Sequence, residues 1–514
     1  MPSGNNKRIV KNTLFLYLRM LFILGVSLYT SRVVLATLGV EDFGIYNVIG
    51  GIVVMFTFLN AGMVQTSQRF LAFEIGRNNP SQLKNVFATT LTIHFLLAII
   101  FFISAEIIGL WFLNTKINID SDRMVAANWV FQCSILAFLI NIVSVPYNAA
   151  VVAREHMHIY AYISIIEVVL KLLIVFLTKY SIYDKLIIYA ILQLSTAIII
   201  RIIYGIYCHK KFEECRTKLL YIKNLFREIM SFASWNFVAN IGFIFKDQGV
   251  NVLINMFHGV TINAARGIAY QVSGVVNGFV SNFQMAITPQ ITKRYAANEI
   301  ESMLDITFKG SKYSFFLLYI IALPVIFKAP YILQVWLETV PEYTIIFLRL
   351  ALIVSLIDCT AIPLGKAINS TGKIKAFLIT ITCILLTDIP ISYIILQKGF
   401  AVYSVMYIAI LTSLLSLFAR LFILKKHLKQ VSVYKYLTDV LLRCLIFVGI
   451  SFSFIYCIRD SFDNTIIGLI TICCISLLIN IILIYFIGIQ YEERKFVIEK
   501  SKWIIEKIKI AKII

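Results

Sequence analysis

The chain has 514 residues, of which 60% are hydrophobic and 14% are charged, whereas soluble domains carry about 25% charged residues. This balance excludes a water-soluble fold. The formal net charge of +20 would suggest a nucleic acid partner for a soluble protein, but these basic residues lie in short loops between apolar runs, where they set membrane orientation. We therefore predict an all-α integral membrane protein with no nucleic acid partner.

A helix needs about 20 apolar residues to cross the hydrocarbon core, and by this criterion the chain contains about fourteen transmembrane spans. The first span begins at Thr13. It is too long for a signal peptide, and no small-residue cleavage site follows it, so we interpret it as a retained span. In chain order the predicted spans cover 13–38, 43–63, 85–113, 124–148, 159–178, 184–206, 230–256, 263–287, 312–335, 343–364, 374–396, 400–424, 437–457 and 465–488.

Basic residues are distributed unevenly between alternate loops. About 31 Lys and Arg residues fall at the N-terminus, in every second loop and in the tail, and about 7 fall in the other loops. Loops rich in Lys and Arg stay on the cytoplasmic side of the membrane. The count therefore predicts that both termini are cytoplasmic.

The sequence also repeats itself weakly. A shift of 220 residues places Leu38-Gly39-Val40 on His258-Gly259-Val260 and Arg77-Asn78-Asn79 on Ala297-Asn298-Glu299, and a shift of 217 places Pro146 on Pro363. These pairings predict two parallel six-helix repeats, with a substrate cleft between them. The predicted organisation is an N-terminal six-helix half (1–207), a basic cytoplasmic linker (208–229), a C-terminal six-helix half (230–424), two extra transmembrane helices (425–488) and a cytoplasmic amphipathic tail (489–514).

Cationic residues deep in the predicted spans are candidates for binding the substrate. Ionisable groups at membrane depth are costly and usually face a cavity or each other. Arg binds phosphate oxygens in a bidentate manner, so a cationic cleft suits an anionic passenger such as a pyrophosphate. An alternative pairs Lys246 with its neighbour Asp247. Arg420 and Arg443 lie near cytoplasmic ends and are interpreted as orientation charges. The predicted cationic lining consists of Arg19, Arg32, Lys246, Arg266 and Arg349.

Amide side chains accumulate in the seventh and eighth spans, at Asn236, Asn240, Gln271 and Asn277. They form either the wall of a wet cavity, where they would bind sugar hydroxyls, or hydrogen bonds between helices. The sequence alone leaves both interpretations open.

Acidic residues at membrane depth are candidates for proton or sodium coupling: Asp247, Asp358 and Asp388. Glu167 and Lys171 lie four residues apart on one helical face and are predicted to pair with each other. No phosphate-binding glycine loop, HExxH motif, CxxC metal pair or nucleophile elbow is present in the sequence. We therefore predict no cofactor, no metal site and no enzymatic activity.

Two segments resemble a known family: Ser31-Arg32-Val33-Val34-Leu35 continuing to Leu38-Gly39-Val40-Glu41-Asp42-Phe43-Gly44-Ile45-Tyr46-Asn47, and Pro146-Tyr147-Asn148-Ala149-Ala150 before Glu155-His156-Met157. Together with the 6+6+2 span pattern, they resemble Wzx-type flippases of O-antigen, lipopolysaccharide and exopolysaccharide biosynthesis. Their superfamily also contains the MATE exporters and the lipid II flippase MurJ. The resemblance implies a MATE-like fold in the bacterial inner membrane and a cationic cavity, with Arg32 and Arg266 as the nearest counterparts of its arginines.

The function implied by this resemblance is transfer of an undecaprenyl-diphosphate-linked oligosaccharide from the cytoplasmic to the periplasmic leaflet by alternating access. The implied partners are this lipid-linked oligosaccharide, membrane lipids and glycan polymerase or assembly proteins. Three alternatives remain open. A MATE-like drug or cation antiporter would present acidic residues to its cargo, and a membrane polymerase or glycosyltransferase would have a long periplasmic loop or an acidic metal motif. The third is a scaffold for the assembly machinery.

Overall fold

The computed structural model describes residues 2–54, 57–116, 121–337, 340–459, 462, 465–489 and 494. Every regular element in these ranges is helical. Three π-helical turns, Ala105–Gly109, Leu437–Leu442 and Ile484–Gly488, extend or join the helices. The helices are α1 (Pro2–Val54), α2 (Thr57–Gly76), α3 (Pro80–Ser104), α4 (Leu110–Lys116), α5 (Met124–Ala153), α6 (Met157–Lys179), α7 (Lys185–Lys211), α8 (Lys223–Ala296), α9 (Ile300–Leu337), α10 (Thr344–Ser370), α11 (Lys375–Leu386), α12 (Asp388–Gln397), α13 (Ser404–His427), α14 (Val433–Tyr436), α15 (Arg443–Ile458) and α16 (Ile466–Leu483).

Ten helical segments of the described chain are long and apolar enough to cross a membrane. They coincide with the third to sixth and the ninth to fourteenth predicted spans. The other four predicted spans fall in the helices α1, α2 and α8. Each predicted span therefore corresponds mainly to helix in its described residues, and the all-α membrane fold is confirmed. The chain is a multi-pass membrane protein.

The predicted internal repeat reappears in the backbone conformation. Gly39 interrupts α1 at φ 82° and ψ 170°, and Gly259 interrupts α8 at φ 82° and ψ 179°. Asn78 and Asn298, which the same shift aligns, both have positive φ, at 53° and 64°. The backbone angles match because the two members of each pair interrupt or end a helix at equivalent positions of the two repeats.

The two glycine interruptions give a prediction about stability. Their φ and ψ values lie in a region that essentially only glycine occupies, and a side chain there costs about 1–3 kcal/mol. Gly39→Ala and Gly259→Ala are therefore each expected to lower the melting temperature of the purified protein. Gly267→Ala is the control, because Gly267 has no positive φ and a Cβ there would meet no atom within 4 Å. Equal melting temperatures for all three variants would contradict the prediction.

The chain forms two compact units. Unit 1 comprises the chain up to Phe245 together with Asn282–Met303 and Lys366–Thr382, and unit 2 comprises Lys246–Ser281, Leu304–Gly365 and the chain from Cys383 onward. Each unit has its own apolar core. In unit 1 it is formed by α1, α3, α5 and α7, and in unit 2 mainly by α8, α9, α10, α13 and α15. Each unit can therefore hold polar side chains in place among its own helices.

The predicted basic linker, 208–229, packs against unit 1. Helix α7 continues to Lys211, one 3₁₀ turn covers Glu213–Arg216, and α8 begins at Lys223. Arg154 donates two hydrogen bonds of 2.9 Å to the buried Glu214 carboxylate. The Thr92 hydroxyl both donates to and accepts from the backbone of Leu220. The predicted tail, 489–514, lies outside the described residues except for 489 and 494.

Candidate substrate and coupling site

Lys246 forms an ion pair with Asp388 inside unit 2. Lys246 Nζ lies 2.9 Å from Asp388 Oδ2, and the two side chains are 13% and 2% exposed. Asp388 is the first residue of α12, where the chain resumes its helix after Thr387. Two buried charges are tolerated only when they are well paired. Lys246 is therefore neutralised by Asp388 and does not act as an isolated cation.

Arg266 is held by three side chains around the interruption at Gly259. It donates one hydrogen bond of 2.8 Å to Asp247 Oδ1 and another to Asn251 Oδ1, and its guanidinium lies 4.3 Å from the centre of the Tyr270 ring. The Arg266 side chain is 5% exposed, whereas that of Asp247 is 35% exposed. The guanidinium is thus fixed in place, and its counter-ion is partly exposed.

The sequence alternative that paired Lys246 with Asp247 is wrong. Lys246 binds Asp388 and Asp247 binds Arg266. Successive residues of a helix project about 100° apart, because 3.6 residues make one turn. Two adjacent charges on α8 therefore reach partners on different segments.

Asp358, on α10, belongs to a second group of charges in unit 2. Its carboxylate lies near Ser413 and Arg420 on α13, as well as near Lys246 and Asp388. Arg420, interpreted from the sequence as an orientation charge, thus lies near a carboxylate at membrane depth. The three candidate coupling carboxylates, Asp247, Asp358 and Asp388, are each close to a basic residue.

The other predicted cationic residues have separate surroundings. The Arg19 guanidinium lies 4.6 Å from the centre of the Tyr160 ring. Arg349 is exposed, and its Nε donates a 3.0 Å hydrogen bond to the carbonyl of Ile326. The side chain of Arg32 lies outside the described residues. Participation of Arg19, Arg32 and Arg349 in one cationic site remains a prediction.

The four candidate amides divide between the two interpretations. Asn277 donates 2.8 Å to Ser355 on α10, which is a helix-to-helix bond, and Asn236 donates 2.9 Å to the Phe232 carbonyl of its own helix. Asn240 Nδ2 is buried and has no hydrogen-bond partner within the described ranges. Gln271 is exposed. Asn277 therefore joins helices, and Asn240 and Gln271 retain capacity for water or a ligand.

Glu155, which the family resemblance includes but the list of candidate site residues does not, is a buried carboxylate. It is 3% exposed and adopts a positive φ of 63° in the turn between α5 and α6. Its carboxylate accepts hydrogen bonds of 2.5 Å from Gln290 and from Lys293, both on the last part of α8. The 217-residue shift would have found this turn, because it aligns Glu155 with Gly372, which also has a positive φ. Glu155 therefore holds the end of α8 inside unit 1.

Asp42, within the most specific part of the family resemblance, belongs to a three-residue ion cluster. Arg123 donates 2.9 Å to Asp42 Oδ1 through Nε and 2.6 Å to Asp184 Oδ2 through Nη1. Asp184 also caps α7 by accepting from the backbone amides of Leu186 and Ile187. The cluster therefore joins the turn after Gly39 to the start of α5 and the start of α7.

This cluster predicts a dependence of stability on pH. Partial burial acts to raise the pKa of Asp184, but the hydrogen bonds from Arg123 and from the α7 backbone outweigh it and lower the pKa below its ordinary value. Because the folded pKa lies below the unfolded one, the stabilisation is present above about pH 4 and is lost as the pH falls through the folded pKa. Melting temperatures between pH 7 and pH 3 should fall less steeply for Asp184→Asn, which keeps a capping acceptor, than for the wild type. Parallel curves would contradict the assignment.

No three His, Cys, Asp or Glu side chains in the described part of the chain could hold a metal ion together.

Residues 9–295 match the family described as polysaccharide biosynthesis protein. The chain belongs to the polysaccharide biosynthesis protein family. Residues 236–394 of this family member also match the MatE family. No curated protein matches the chain.

Solved structures with the same fold are MATE and related transporters. An outward-facing multidrug resistance MATE transporter of the MOP superfamily has a TM-score of 0.70 at 11% identity, over 82% of this chain and 96% of that one. A MATE in complex with MaD3S has a TM-score of 0.70 at 13% identity, over 83% and 97%. A MOP superfamily transporter from Pyrococcus furiosus has 0.67 at 12%, over 82% and 96%. The family matches and the shared fold identify this polysaccharide biosynthesis protein as a MOP-superfamily transporter.

Proposed function

We propose that the protein is a flippase that moves an undecaprenyl-diphosphate-linked oligosaccharide from the cytoplasmic to the periplasmic leaflet of the bacterial inner membrane by alternating access. Both termini are then cytoplasmic, as the basic loops predict. No bond of the substrate is made or broken in this proposal. The observation that carries it is the buried Arg266, held by the partly exposed carboxylate of Asp247, in a member of the polysaccharide biosynthesis family.

Arg266 provides the chemistry for a diphosphate. Its planar guanidinium already binds the carboxylate oxygen of Asp247 and the amide oxygen of Asn251. A phosphate offers the same donors a pair of charged oxygens in bidentate geometry. In the proposed cycle the diphosphate replaces Asp247 on Arg266, and Asp247 turns to water. The unloaded state then leaves no buried charge unpaired, which limits the energetic cost of resetting the transporter.

Ion coupling is proposed at the carboxylates of unit 2. Protonation of Asp247 weakens its hold on Arg266 and frees the guanidinium for the substrate. Asp388 and Asp358 provide a second place for an ion, because Asp388 Oδ1 is buried with no hydrogen-bond partner within the described ranges. We propose a proton as the coupling ion, since the neighbouring Lys246 ammonium at 2.9 Å repels a second fixed cation such as sodium.

The drug-exporter alternative fits these charges less well. A cationic drug needs an available carboxylate, and the acidic candidates of unit 2 each lie close to Lys246, Arg266 or Arg420. The P. furiosus neighbour is described as having a binding pocket of reverse polarity that suggests a different function. That description supports the view that this fold accommodates cargoes of more than one charge.

The proposal is tested by reconstituting the purified protein into liposomes that carry a fluorescent undecaprenyl-diphosphate-linked oligosaccharide in both leaflets. Translocation exposes the lipid to a membrane-impermeant quencher. We expect the fluorescence of more than the outer-leaflet half of the lipid to be quenched, at a rate that depends on the pH gradient. Protein-free liposomes are the control. Rates equal to those of protein-free liposomes, alongside transport of a cationic dye by the same preparation, would exclude the flippase assignment.

A further inference from the structure

Unit 1 contains a cavity of ≈ 270 Å³ among α1, α5, α6 and α7, with polar and apolar residues in its lining. Helices α5, α6 and α7 are each long and apolar enough to span a membrane. The polar residues facing the cavity lie well inside these helices and not at their ends. They include Tyr46, Ser134, Asn141, Glu167, Lys171 and Gln193.

The charges in the cavity cancel. Lys171 Nζ lies 2.6 Å from Glu167 Oε1, so the pair predicted from the sequence is confirmed. The two side chains are 43% and 38% exposed, as expected for an ion pair that faces a wet cavity at membrane depth. The rest of the described lining is uncharged. A cavity with balanced charge does not favour a diphosphate or a free cation.

The amides of the cavity have hydrogen-bonding capacity to spare. Asn141 is exposed in α5, and its side chain makes no hydrogen bond to another described residue. Gln193 uses one amide donor, to the Tyr189 hydroxyl at 3.0 Å, and keeps its carbonyl. An unpaired amide in hydrocarbon costs several kcal/mol. These groups can therefore bind water or a polar ligand in the cavity.

The chemistry and the volume together select one class of ligand. Amides and an ion pair offer hydrogen-bond donors and acceptors to a ligand with several adjacent hydroxyl groups. The Tyr46 and Phe138 rings offer apolar faces to the carbon skeleton of such a ligand. The volume far exceeds the roughly 10–15 Å³ that one water requires and lies just below the range of about 300–1,000 Å³ for drug-sized ligands. We propose that this cavity binds one neutral sugar ring. The assignment of this ring to the glycan of the lipid-linked substrate rests on the proposed function.

The test measures binding of free N-acetylglucosamine, glucose and galactose to the full-length protein in lipid nanodiscs by saturation-transfer-difference NMR. At least one sugar is expected to bind saturably. Asn141→Leu should weaken binding about three- to tenfold, the loss of one to two hydrogen bonds. Ala197→Leu, which fills the cavity without removing a polar group, should abolish it. Asn128→Leu is the matched control, because Asn128 lies on the same helix and bonds Met124 and Asn114 outside the cavity.

Sugar binding that is absent, or that is unchanged in Asn141→Leu and Ala197→Leu, overturns the proposal. The proposal is also overturned if the wild-type protein binds sodium but no sugar, and if Asn141→Leu abolishes the sodium binding. That result would assign the cavity to a cation. The liposome assay separates this result from the proposed function. If the sugars bind as expected but the lipid-linked oligosaccharide is not translocated, the flippase assignment fails and the sugar site stands. If translocation occurs and no sugar binds, only the sugar site fails.

Discussion

Replacing Arg266 by alanine is expected to abolish glycan export while the protein stays in the membrane. The guanidinium is almost fully buried and holds Asp247 and Asn251, and in the proposed cycle it also holds the diphosphate. Removing one partner of a buried, hydrogen-bonded charge pair costs about 2–5 kcal/mol, which corresponds to about a 30- to 4,000-fold slower translocation. The measurements are surface glycan in a deletion strain, translocation in liposomes, and the amount of protein in membranes.

Two further variants separate binding from folding. Arg266→Gln combined with Asp247→Asn removes both charges, so no carboxylate is left facing an alanine, and it is expected to be stable but inactive. Arg443→Ala is the matched control, since Arg443 pairs only with Asp439 one turn earlier on a partly exposed helix face. Normal export by a stably inserted Arg266→Ala protein would remove Arg266 from the proposed site.

The second large effect is expected on stability, at the pair of Lys246 and Asp388. Asp388→Ala leaves a lysine that is 13% exposed without its carboxylate. Breaking a buried ion pair on one side costs about 3–5 kcal/mol, whereas replacing both partners by apolar residues is often neutral. Asp388→Ala should therefore melt far below the wild type, and Lys246→Met combined with Asp388→Leu should regain most of the loss. Melting temperatures in detergent, measured by light scattering, provide the check.

The partly exposed pair of Arg443 and Asp439 is again the comparison, since Asp439→Ala should change stability by less than about 1 kcal/mol. If the double variant melts as low as Asp388→Ala, the two residues do not act as a pair. If Asp388→Ala melts like Asp439→Ala, the Lys246 ammonium has another anion available and the proposed coupling site loses its basis.

The helices could be predicted from the sequence because the bilayer leaves few alternatives. A chain in hydrocarbon must satisfy its backbone hydrogen bonds internally, so long apolar runs become helices. The Gly39 and Gly259 turns were also visible, since glycine is the residue that tolerates their backbone angles. The seventh and eighth spans, both on α8, were harder to recognise because their apolar runs contain many Asn, Gln and Gly residues.

The pairing of the charged residues could not be predicted in the same way. Hydropathy indicates how deep a residue lies but not which way its helix is rotated, and rotation depends on packing between distant segments. Lys246 was therefore assigned to the wrong alternative partner, and Asn277 could not be placed on Ser355. The sugar cavity left a signal that was overlooked, since Asn141 and Gln193 are isolated amides inside strongly apolar spans.

Unit 1 is discontinuous in the chain, and this affects how the protein is made. Its last two segments, Asn282–Met303 and Lys366–Thr382, follow much of unit 2 in the sequence. During synthesis, the turn that holds Glu155 is made well before Gln290 and Lys293, its partners on α8. The ribosome must therefore pass residue 382 before unit 1 can be completed. The first helices of unit 1 are thus synthesised before the segments that complete their packing.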